Sequence, residues 1–107
     1  MSLAESCYLL TKGFPREEMF GLTSQIRRAA TSIAANIAEG HGREHTRSFI
    51  QFMRISQGSL KELETHLLLS QRVKLIAQDA TEPILADCQS LGRMLRTLIR
   101  TLEKKVE

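Results

Sequence analysis

A handful of residues have types and spacings that invite chemistry, and each set stops short of a complete site. Glu62 and His66 stand four apart, whereas a di-metal carboxylate bundle needs Glu-x-x-His in two helices and two further glutamates. His41 and His45 are also four apart with Glu44 between them, but no Glu follows His41 directly, so the zinc-protease pattern is missing. Gly58-Ser59 lacks the flanking turn of a nucleophile elbow and falls in a helical pattern, where a hydroxyl bonds back to a carbonyl. Gly40-His41-Gly42-Arg43 is too short to cradle a phosphate in the manner of a glycine-rich loop. Cys7 and Cys88 are isolated, with no CxxC spacing, and read as small hydrophobes in a core. The expectation is a protein with no catalytic residue, no metal site and no cofactor.

The basic residues carry the functional hint. Lys and Arg number 15 against 12 Asp and Glu, for a formal charge of +3 and a pI near 9.2. Arg27 and Arg28 fall in one helical segment, Arg43 and Arg47 near the following turn, and Arg54 and Lys61 lie seven apart in the next segment. Arg93, Arg96, Arg100 and Lys104 then follow steps of 3, 4 and 4, which line up as a stripe along a helix. Such a surface suits phosphates, with salt-sensitive affinity. Arg27, Arg28, Arg43, Arg47, Arg93, Arg96, Arg100 and Lys104 are therefore the candidate contacts to RNA or DNA, against the plainer reading of a solvated helix face. No recognition-helix signature accompanies them, and aromatic residues make up only 5% of the chain. Asn36 and Glu39 are candidate structural polar groups: Asn36 interrupts the nearly apolar Ile33–Ala38 stretch and needs partners there, and Glu39 precedes Gly40 where a nearby Arg can pair with it.

The elements that must position these groups follow from periodicity. The composition, 42% hydrophobic and 25% charged in 107 residues, fits one globular domain spanning residues 1–107. Leu3–Leu10 reads as a short helix ended by Gly13 and Pro15. Arg16-Glu17-Glu18 suits a first helical turn, after which Phe20, Ile26, Ala30, Ile33, Ala34 and Ile37 return to one face until Gly40 and Gly42. From Thr46 to Arg72, Phe49, Phe52, Met53, Ser56, Leu60, Leu63, Leu67 and Leu68 share a face, with Ser56, Gly58 and Ser59 small enough to admit a neighbouring helix. Asp79-Ala80-Thr81-Glu82 has the spacing of a capping box, placing Pro83 in a first turn. Ile84, Cys88, Leu91, Leu95, Leu98 and Leu102 then make a heptad seam. Short connections between these segments predict an all-α, antiparallel up-down four-helix bundle with a short first helix. Leu22, Met94 and Ile99 fall off the seams and, with the stubby first helix, predict a self-association surface. No run approaches a membrane span and the first residues lack a secretory pattern, so the expected compartment is the cytoplasm.

Three ordered stretches, Phe20–Ala30, Ser32–Gly40 and Gly58–Glu64, resemble the bacterial four-helix-bundle family of S23 ribosomal or 23S rRNA intervening-sequence proteins. The resemblance covers nearly the whole chain. It implies a closed antiparallel bundle that assembles as a homopentamer, with no catalytic residues. It also implies kinship with the accessory variability proteins of diversity-generating retroelements, which are basic and bind nucleic acid and a reverse transcriptase. By position, Arg27, Arg28, Arg93, Arg96 and Arg100 would supply the basic surface. The family's first helix usually starts earlier, so that Met1 would begin partway through it. Two functional readings follow, a homo-oligomer that binds RNA or DNA and a protein-interaction module without nucleic acid.

Overall fold

The computed structural model describes residues 2–107, which form four helices: α1 Leu3–Thr11, α2 Leu22–His41, α3 Thr46–Arg72 and α4 Gln78–Lys105. A 3-10 turn at Arg16–Glu18 stands between α1 and α2. Each helix packs on its neighbours in sequence, and α1 returns to pack on α4. The four form a closed ring with α1 diagonal to α3 and α2 diagonal to α4. Connections as short as residues 42–45 and 73–77 force antiparallel neighbours, and the result is an up-down bundle of 48 × 22 × 21 Å.

The helix ends follow local chemistry. α1 opens on a capping box, in which Glu5 N donates to Ser2 Oγ at 3.2 Å and Ser2 N donates to Glu5 Oε1 at 3.2 Å. Hydrogen bonding from Ser2, its backbone N–H first and its hydroxyl second, holds the Glu5 carboxyl below its usual pKa. Because Ser2 is the cap, the helix starts at Leu3; Met1, where it was expected to be already under way, lies outside the described residues. Glu17 and Glu18 do not enter the first turn of α2 as expected. Glu18 sits in the 3-10 turn and its carboxylate accepts from Leu22 N at 3.2 Å, capping α2 from outside. Gly21 permits this, since a Cβ there would stand 2.8 Å from Glu18 Oε1. α3 ends in a Schellman motif, with Leu75 N donating to Ser70 O at 2.9 Å and Lys74 N to Gln71 O at 3.0 Å. Lys74 takes the left-handed position at φ 63°.

The core is filled by Ile26, Ala30 and Ile33 of α2, Met53, Leu60, Leu63 and Leu67 of α3, and Ile84, Cys88, Leu95 and Leu102 of α4. Cys7 of α1 joins them fully buried, and both cysteines are free thiols. Several expected core positions instead face outward. Phe20 is 94% exposed because it precedes α2 and is not carried on its face, and Ala34 and Leu68 lie on the solvent sides of α2 and α3. In α4, Ile99 is buried and Leu98 only partly so. A seam of strict heptads drifts around a straight helix of 3.6 residues per turn, and the true repeat carries the core from Leu95 to Ile99 and Leu102. Leu22 also packs partly inward, which leaves Met94 as the outward member of the three off-seam positions.

The start of α4 differs from the expected box. The cap is Ala77, without a side-chain bond, and Asp79 lies in the first turn. Pro83 therefore falls in the second turn. Buried Thr81 fixes this register, donating to Gln78 O at 3.0 Å and accepting from Gln71 Nε2 of α3.

Of the three small residues expected to admit a neighbouring helix, Ser56 and Ser59 do so against α2 and Gly58 does not. Ser56 is fully buried and donates to Ile33 O at 3.1 Å, and Ser59 Oγ meets Ser32 Oγ at 2.8 Å. Gly58 takes no part: it is exposed, and a Cβ built on it would find nothing within 4 Å. Residues advance about 100° each around a helix, so Gly58 stands about 200° from Ser56 and faces away from α2. The glycine that packs is Gly40, whose missing Cβ would stand 2.5 Å from Met53 Cε and 3.1 Å from Phe52 Cβ.

Candidate nucleic-acid interface

The outward side of the α3–α4 pair holds a cleft of about 640 Å³. Its depth is set by Leu60, 2% exposed, and Cys88, fully buried. Gly58 and Gly92 open it from the two helices, and the exposed side chains of Arg54, Lys61, Arg93 and Arg96 surround it. Glu64 is the one carboxylate in the lining, 3.5 Å from Lys61 Nζ. Arg54 is paired with Glu103 and Lys61 with Glu64, so Arg93 and Arg96 supply the positive charge of the cleft that no carboxylate offsets. Burial pushes the Cys88 thiol up to about 12, with Glu64, Cys7 and Asp87 adding in the same direction, so it is neutral at the bottom of this basic site. Burial alone pushes Cys7 up to about 11.

The four basic residues of the α4 stripe are all exposed. Arg93 Nη2 donates to Ser90 Oγ at 3.2 Å, while Arg96, Arg100 and Lys104 make no hydrogen bond or ion pair among the described residues. At helical rise these groups recur about every 4.5–6 Å along α4. Arg54 of α3, which is ion-paired with Glu103, and Lys61 join them across the cleft.

The other sequence candidates are placed elsewhere. Arg27 is half-buried on α2: its Nε donates to Thr11 Oγ1 at 2.9 Å and its guanidinium lies 4.7 Å from the Tyr8 ring centre, so it fastens α1 to α2. Arg28 is exposed on α2, diagonal to α4. Arg43 pairs with Glu39 at 2.9 Å and lies 4.7 Å from the Phe52 ring centre, closing the α2–α3 corner. Arg47 Nη2 reaches Val106 O at 3.4 Å and thus stands with Lys104 at the same end of the bundle. Asn36 Nδ2 donates to Ser32 O at 2.8 Å and Ser32 Oγ at 3.1 Å, and Ser32 in turn meets Ser59, so an amide in an apolar stretch links α2 to α3 through two hydroxyls.

His41 lies against Phe49, ring centres 4.7 Å apart, and His45 is the backbone cap of α3. No group of three or more His, Cys, Asp or Glu is arranged to hold a metal among the described residues, and none of their helices is long and apolar enough to cross a membrane. Gln57, Gln89 and Gly92 of the cleft belong to no motif of the sequence; two glycines in the middle of helices, close to basic residues, are the signal it carries for them.

These features define a small all-α up-down bundle with a basic cleft between its last two helices. The chain belongs to the 23S rRNA-intervening sequence protein family, whose model matches residues 1–97. It is similar to a protein of unknown function from the S23 ribosomal protein family of Bacteroides thetaiotaomicron VPI-5482, whose crystal structure is known at 1.70 Å resolution. The two share 27% identity and a TM-score of 0.78 over 91% of this chain and 87% of the other. No curated protein matches the chain.

Proposed function

We propose that the chain is a non-enzymatic, homo-oligomeric bundle that binds RNA or DNA through α4 and the facing edge of α3. The observation that carries this reading is the run of Arg96, Arg100 and Lys104, exposed and without side-chain partners, continuous with Arg93 and with the cations across the cleft. Unpaired cations at regular spacing on a rigid helix meet phosphates without first breaking ion pairs of their own, and they contact the backbone irrespective of sequence. The oligomeric part rests on a second surface. α1 has nine residues against 28 in α4, so at about 14 Å it covers a third of its partner's length. Met94, 66% exposed, and Leu98 make a strip with Thr97 and Thr101 on α4 that Arg93 borders, and covering its apolar part with a further copy would bury a patch that a monomer leaves in water.

The same strip favours the alternative, a protein-interaction module without nucleic acid, in which a different protein occupies it. Light scattering on nuclease-treated protein separates the readings. A particle of roughly 60 kDa, five times the 12.1 kDa chain, that gains mass with added RNA or duplex DNA at low salt supports the first. The variant R93E/R96E/R100E should keep its helicity and lose that gain; undiminished binding rejects the stripe, and an oligomer indifferent to nucleic acid transfers the role to protein scaffolding.

A further inference from the structure

We infer that the cleft between α3 and α4 accepts one unpaired nucleotide of a single-stranded nucleic acid, its ring lying over Gly58 and Gly92 and the two phosphates flanking it on Arg93 and Arg96. This rests on the nucleic-acid reading above and narrows it to a site and a form of ligand.

The glycines are the starting point, because packing does not account for the first of them. Gly58 sits in the middle of a 27-residue helix, where glycine weakens the helix, and no glycine among the described residues has a positive φ that would exclude a side chain. A Cβ on Gly58 would meet nothing within 4 Å. Its effect is to leave open the space above Leu60. Gly92 does the same from α4, where a Cβ would stand 3.5 Å from Leu60 Cδ2 and 3.7 Å from Arg96 Nη1. A side chain at either position would occupy the cleft itself.

The lining then selects the ligand. A simple anion needs only the cations, but this cleft also has an apolar bottom in Leu60 and Cys88 and two side-chain amides, Gln57 and Gln89, at its walls. An amide presents both donors and an acceptor, the complement of a base edge. The volume of about 640 Å³ lies in the range of small-molecule sites. A duplex keeps its bases stacked inside and offers only phosphates to such a cleft, whereas an unpaired base can leave its strand and enter. No aromatic ring lines the site, so the base is held by the apolar bottom and the two amides rather than by ring stacking.

The test fills the cleft without touching a charge. Fluorescence polarisation of the full chain with a short labelled single-stranded RNA of mixed sequence, and with a duplex of equal length, compares wild type, G58A, G58L and R93E/R96E/R100E at low salt. In G58L, single-strand affinity should fall about tenfold relative to duplex affinity, the order of loss seen when one bound base is displaced, and G58A should show a smaller loss in the same direction. If both Gly58 variants keep the wild-type ratio while the charge reversal abolishes binding, the cleft inference is overturned and the charged-surface reading stands. If wild type binds neither RNA, both fall. Should G58L fail to keep wild-type helicity by circular dichroism, G58A alone decides.

Discussion

Gly40 and Gly58 lie in helices on either side of one turn, and the same substitution to alanine should shift stability in opposite directions. In an exposed helix interior, Gly to Ala gains roughly 0.5–1 kcal/mol, because alanine loses less backbone freedom on folding. Gly58→Ala should show that gain in full, since the added methyl meets nothing within 4 Å. At Gly40 the methyl would stand 2.5 Å from Met53 Cε, 3.1 Å from Phe52 Cβ and 3.2 Å from Phe49 Cδ1. Met53 is fully buried, so its terminal methyl can swing only into occupied space, and Phe52 Cβ is fixed by the α3 backbone. Overpacking of this kind costs about 1–3 kcal/mol, which outweighs the propensity gain and leaves Gly40→Ala less stable by about 1 kcal/mol. For a domain of this size, 1 kcal/mol moves the melting temperature by about 4–8 °C. Thermal melts by circular dichroism should therefore place G58A above wild type and G40A below it. A G40A variant as stable as G58A would refute the packing described for the α2–α3 corner.

Lys74 occupies the left-handed position of the Schellman motif that closes α3, so Lys74→Gly should stabilise the protein by about 1 kcal/mol in urea unfolding; a loss of stability would mean the motif does not form. The two buried thiols make stability fall at high pH. Their folded pKa values, about 11 for Cys7 and about 12 for Cys88, are raised above the reference value of 9.0, so their contribution is complete below pH 9 and is lost as pH rises toward 11–12. The pH dependence of the unfolding midpoint should flatten above pH 9 in the double variant C7A/C88A, measured against its own value at pH 7; an unchanged slope would contradict thiol burial. At pH 8 neither thiol should react with a thiol-specific reagent until the protein is unfolded, which a timed alkylation followed by mass measurement checks.

Much of the fold could be read from spacing, and the misreadings have identifiable causes. The range Thr46–Arg72 and the α4 residues Ile84, Cys88, Leu95 and Leu102 were legible because an amphipathic helix repeats its buried side chains at a fixed interval. Phe20 was misread because hydrophobicity says that a ring prefers burial, whereas only the backbone decides whether it is still on the helix face. Asp79 has good capping chemistry, but Thr81, bonded to Gln71 ten residues earlier, sets the start of α4 through a tertiary contact that no local spacing encodes. The α4 basic stripe was visible as steps of 3, 4 and 4. The cleft beside it was not, because which helix approaches Gly58 depends on its angular distance from Ser56 and on where α4 lies. Arg27 looked like the other arginines in sequence and differs from them only in having Thr11 and Tyr8 of α1 within reach.

The salt dependence of nucleic-acid binding tests the central claim most directly. Each phosphate contact to a single strand contributes about −0.7 to the slope of log K against log salt. If Arg93, Arg96 and Arg100 each hold a phosphate, R93E/R96E/R100E should bind more weakly at every salt concentration, and any residual binding should have a slope shallower by about 2. A variant whose affinity and slope match those of wild type would contradict the assignment of α4 as the binding surface.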